Sequence, residues 1–148
     1  MTAQLFSKIF ERDISKLKEE ISLYKNERDL WKVKHEILNS AGTLTLHLIG
    51  NLNHFIGAVL GKTGYVRERD KEFSDRNISR EKMLDDINNL ILIVKDSLSK
   101  LSDEDLQKDF PIEFMGKRKT IDVLIILTTH LNYHLGQINY HRRILAEY

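Results

Sequence analysis

The chain has 148 residues, enough for one domain with its own core. Apolar residues make up 41% and charged residues 30%, so neither disorder nor a coiled-coil rod is expected. A net charge of +1 does not suggest a nucleic-acid binder, and the absence of cysteine excludes disulfides, thiolate metal ligands and a cysteine nucleophile.

Proline occurs once, at Pro111, and glycine seven times, so long uninterrupted helices are permitted. The spacing predicts four. The first runs from about Thr2 to Lys25, with Phe6, Phe10, Ile14, Leu17, Ile21 and Tyr24 on one stripe. Residues 26–34 read as a connection. The second begins near Asn39 or Ser40, either of which can cap it, and continues through Leu44, Leu48, Leu52 and Ile56 to Gly61. The polar stretch 62–77 reads as a loop with a helical turn around Asp70–Phe73. Ser79 is the expected N-cap of the third helix, whose stripe is Met83, Ile87, Leu90, Val94 and Leu98. Asp109 to Phe114 alternates as a short extended segment would, with Gly116 in the turn. Thr120 then caps a fourth helix reaching about Glu147, with Asp122 near the positive end of its dipole. The expectation is an all-α single domain, 1–148, folded as a bundle around one core.

Met1 to Asp13 carries charges early and has no apolar run, and the aliphatic stretches 90–94 and 123–127 are too short to cross a bilayer. A cytoplasmic protein with no membrane partner is expected.

The six histidines carry most of the functional signal. His130 and His134 are four residues apart, on one helix face one turn apart, so two imidazoles can reach one metal ion. A third ligand must come from another element. His47, midway along the second helix and flanked by Leu46, Leu48 and Ile49, is the best donor. The H-x-x-x-H spacing also arises by chance on polar faces, and core histidines are often only hydrogen-bonded, so spacing leaves both readings open. His54 and His141 each lie seven residues from a proposed ligand, roughly 10 Å along the axis. That is too far to share a metal bound at about 2.0–2.1 Å. They read as core or surface residues, and His35 as a surface residue.

Asn51, one turn after His47, and Gln137, three residues after His134, are placed to orient the imidazoles or to touch substrate. Gly50 and Gly136 weaken their helices and hint at close approach or at space for a ligand. No acidic residue within one turn of the histidines on either helix offers a general base, which argues against an H-E-x-x-H type of protease.

The segment from Thr45 to Leu52, with His47 at its centre, together with His130-Leu131-Asn132-Tyr133-His134-Leu135-Gly136-Gln137-Ile138, resembles the DinB/YfiT-like superfamily over nearly the whole chain. The resemblance implies an up-down-down-up four-helix bundle, often a homodimer. It implies that His47, His130 and His134 bind a divalent metal, nickel or zinc. Characterised members of that superfamily are transferases that join a low-molecular-weight thiol, such as bacillithiol or mycothiol, to an electrophilic small molecule. Metal-dependent hydrolysis and non-catalytic metal binding are the alternatives it leaves.

Overall fold

The structure, a computed structural model, describes residues 1–146. Over these residues the chain is all-helical, with α1 (Thr2–Ser22), α2 (Ala41–Leu52), α3 (Arg69–Ser74), α4 (Arg80–Ser99), α5 (Asp103–Gln107) and α6 (Thr120–Ala146). A 3₁₀ turn, Glu27–Trp31, lies between α1 and α2, and a π-helical stretch, Asn53–Leu60, continues α2. The extended segment expected after α5 is reduced to one isolated antiparallel bridge, Asp109 with Lys119. No helix among the described residues is long and apolar enough to cross a membrane.

The helix boundaries follow from local chemistry. The Ser40 hydroxyl accepts from the Thr43 N–H at the start of α2, and Ser79 does the same for Lys82 at the start of α4. Ser102 and Asp105 form a reciprocal capping box that starts α5, a helix the sequence pattern did not suggest. Thr120 is the first residue of α6 rather than the residue before it. The expected end of that helix at Glu147 lies outside the described residues. The first helix stops at Ser22, three residues earlier than its apolar stripe suggested, although Tyr24 is buried beyond the end.

Cross-helix pairs fix the directions of the long helices. Lys95 reaches Glu11, and Arg80 near the start of α4 reaches the Tyr24 carbonyl past the end of α1, so these two helices are antiparallel. Asn132 donates to Asp13, and Asn139 and Arg142 to Glu20, so α1 and α6 run parallel. The π-helical extension of α2 meets α4 in ascending order, Gly57 beside Ile93 and Gly61 beside Ser97. The core contains Phe10, Ile14, Leu17 and Ile21 from α1, Leu48 and Leu52 from α2, Met83, Ile87 and Leu90 from α4, and Val123, Leu127 and Leu131 from α6. Fully burying a side chain of this kind stabilises by about 1.5–3 kcal/mol. This packing holds α2 against α6, and with it the histidines of both.

Candidate metal centre

His47 on α2 and His130 and His134 on α6 meet as the spacing predicted. Their ligating atoms all lie within 4.8 Å of one another. The His130 Nε2 is 3.1 Å from the His47 Nε2 and 3.1 Å from the His134 Nε2. Two nitrogens bound tetrahedrally to one metal at about 2.0–2.1 Å stand roughly 3.3 Å apart, so the spacing suits a shared ion.

The far sides of two rings fix where their protons sit. The Glu72 Oε1 is 3.1 Å from the His47 Nδ1, and Glu72 also takes two bonds from Arg67, at 2.9 Å from Nε and 2.9 Å from the terminal nitrogen. Burial of Glu72 opposes its charge, but the hydrogen bonds from His47 and Arg67 win and hold its carboxyl below the usual range. An ionised Glu72 only accepts, so the His47 Nδ1 carries the hydrogen and its Nε2 presents a lone pair. The Gln137 carbonyl oxygen, 2.7 Å from the His134 Nδ1, imposes the same tautomer on His134.

Two Nε2 lone pairs therefore point at the Nε2 of His130. A proton there can bridge to one of them and leaves the other facing nitrogen. Burial, reinforced by repulsion from His134, His47 and Arg67, pushes the His130 pKa down to about 4, and burial lowers that of His134. Protons are therefore a poor source of the positive charge that the cluster calls for. The buried His130 Nδ1 has no hydrogen-bond partner. Three imidazole nitrogens, two with their outer N–H already engaged, form a donor set that fits a divalent cation and can hold one.

The other residues singled out in the sequence fare differently. The Gln137 side-chain oxygen lies 2.7 Å from the His134 Nδ1. Asn51 is buried, but its Oδ1 has no hydrogen-bond partner and no bond links it to a histidine. His54 stacks edgewise on Phe55, outside the cluster. His141 is buried, with Nδ1 2.6 Å from the Tyr24 hydroxyl and Nε2 donating to the Lys32 carbonyl at 2.8 Å. His35 is exposed with φ at +56°.

Sequence reasoning missed Glu72 and Arg67. Both lie in the polar stretch 62–77, Glu72 in its expected helical turn, and neither is on a helix that bears the histidines. The available signal was Gly50. Its bare Cα lets the Glu72 carboxyl carbon come to 2.6 Å from where a β-carbon would stand. Phe73, next in the chain, packs its ring 5.0 Å from that of His47. A cleft of about 580 Å³ opens beside His134 and Gln137, where the C-terminal half of α6 meets the segment leading into α2.

Fold and site together define an all-helical protein with a three-histidine cluster able to hold one metal ion. The chain belongs to the family described as "Protein of unknown function (DUF1572)", whose model matches residues 5–148. No curated protein matches the sequence.

Proposed function

We propose that this chain is a DinB-like metal-dependent transferase, folded as a single up-down-down-up four-helix bundle. His47, His130 and His134 bind one divalent ion, nickel or zinc, and the protein joins a low-molecular-weight thiol to an electrophilic small molecule. The observation that carries this reading is the convergence of three Nε2 atoms, that of His130 lying 3.1 Å from each of the other two, with the Nδ1 sides of His47 and His134 spent on Glu72 and Gln137. The antiparallel pairing of α1 with α4 and the parallel pairing of α1 with α6 support the bundle topology. Homodimerisation, implied by the same resemblance, belongs to the reading.

His47, His130 and His134 would hold the divalent cation, which would lower the pKa of a thiol or water bound to it. The chain's own residues supply the rest. Glu72 keeps the proton of His47 on Nδ1, and Arg67 keeps Glu72 ionised by neutralising it. Gln137 holds the ring of His134. The thiol gives its proton to solvent, its sulfur forms a bond to the electrophilic carbon, and the bond from that carbon to the leaving group breaks, the leaving group departing with the electron pair. A protein without cysteine must take that sulfur from a cosubstrate. Glu72 accepts two hydrogen bonds from Arg67 and one from His47, which suits it to orienting His47 rather than to taking a proton from substrate.

The test is to incubate metal-loaded protein with a panel of low-molecular-weight thiols and monochlorobimane, following the fluorescent adduct. At least one thiol should give a protein-dependent rate that His134→Ala abolishes. No rate above background with any thiol contradicts the transferase reading.

A further inference from the structure

Six apolar or aromatic side chains line the cleft beside the cluster: Ile37, Leu38, Leu44, Tyr133, Tyr140 and Ile144. At about 580 Å³ it has the size of a small-molecule site. One end of it is chemical. His134 and Gln137 both line it, and since the Gln137 oxygen is bound to His134, the amide N–H groups are what Gln137 offers a ligand. Both ring nitrogens of His141, further along the same α6 wall, are engaged with Tyr24 and Lys32.

The charge of the lining narrows the ligand further. Among the described residues, the only charged side chain lining the cleft is Glu36; no lysine or arginine does so. Away from the end where His134 would hold a metal, a carboxylate, phosphate or sulfonate in the cleft would be desolvated against apolar walls with no side-chain cation to pair it, and Glu36 would repel it. Arg67, beside His47, does not line the cleft and is committed to Glu72.

We propose that this cleft binds the second substrate, and that this substrate is an uncharged, largely apolar molecule whose reactive end faces His134 and Gln137. The assignment of the molecule as substrate rests on the transferase reading; binding in the cleft does not.

The test uses two fluorescent probes that share an anilinonaphthalene body, N-phenyl-1-naphthylamine, which is neutral, and 1-anilinonaphthalene-8-sulfonate, which is anionic. Each is titrated into metal-free and metal-loaded full-length protein, with metal content measured separately so that failure of the metal reading is scored independently of failure of the cleft. The neutral probe should saturate a single site and bind at least tenfold more tightly than the sulfonate. Leu38 is 84% exposed and Ile144 46% exposed, so Leu38→Glu and Ile144→Glu leave the core intact. Both should weaken the neutral probe at least fivefold, and Glu36→Lys should narrow the gap between the probes. Equal or tighter binding of the sulfonate to the unaltered protein would overturn the proposal. So would neutral-probe binding that neither Leu38→Glu nor Ile144→Glu weakens. If sedimentation shows that Leu38→Glu turns a dimer into a monomer while probe affinity is unchanged, the face is a contact between copies and the proposal fails.

Discussion

Gly50 and Glu72 are packed so closely that a β-carbon at position 50 would stand 2.6 Å from the Glu72 carboxyl carbon. Alanine is the better helix former by about 0.8–1.0 kcal/mol, so Gly50→Ala should stabilise an isolated helix. Here it should instead push Glu72 away from His47 and Arg67. We expect metal affinity to fall about 10–100-fold, as when an outer partner of a ligand is lost, with a loss of stability of about 1–3 kcal/mol from overpacking. Isothermal titration with zinc and urea denaturation measure the two effects. Unchanged affinity would show that Glu72 does not position His47.

Glu72→Gln tests the same contact by charge rather than by shape. The variant keeps the size of the side chain but loses the ion pair with Arg67, which is buried with it. Leaving Arg67 without its partner should cost about 3–5 kcal/mol, more than a surface pair would. Arg67→Met in the same background should recover part of the stability without recovering metal affinity.

Proximity of titrating groups sets a pH dependence. Burial holds His130 at about pH 4 in the folded chain, below the usual histidine value of about 6.5, and lowers His134 as well. A histidine whose folded pKa is depressed contributes stability that is present above its unfolded pKa and lost as pH falls toward its folded pKa. The urea midpoint of metal-free protein should therefore drop as pH is lowered from about 6.5 toward about 4, and drop less steeply in His130→Ala. Bound metal should be released across the same window, because protons compete for the ligating nitrogens. An equal slope in both proteins would contradict the buried, uncharged assignment of His130.

Much of this was legible in the sequence, and the part that was not has a physical reason. Periodicity located the four long helices, and serine caps marked two of their starts, because both signals are local. The histidine cluster was legible because two of its members share one helix face and the third lies at mid-height on another helix. The π-helical turn from Asn53 to Leu60 leaves no comparable mark, since its apolar content matches an ordinary helix. Glu72 escaped notice because its burial depends on a tertiary contact with Gly50, twenty-odd residues away, and nothing in its charged neighbourhood distinguishes it from Glu68 or Asp70. Helical spacing placed Asn51 one turn from His47, and among the described residues no hydrogen bond joins the two, because hydrogen bonding across a turn depends on rotamer and not on spacing alone.

Tyr24 and His141 anchor the chain after α1 to the end of α6. The Tyr24 hydroxyl donates to the His141 Nδ1 at 2.6 Å, and burial pushes the Tyr24 phenol well above its ordinary pKa, keeping that proton in place. Tyr24→Phe leaves a buried ring nitrogen without a partner and should cost about 1–3 kcal/mol in thermal or urea unfolding. Metal content should not change, since His141 is outside the cluster.

The central claim is tested most directly by the metal content of untagged protein, purified without chelators and analysed by inductively coupled plasma mass spectrometry beside His130→Ala. The account predicts close to one equivalent of a divalent transition metal in the native protein, and its loss in the variant together with a lower melting temperature. Less than about a tenth of an equivalent in the native protein, with His130→Ala altering neither metal content nor melting temperature, would contradict it.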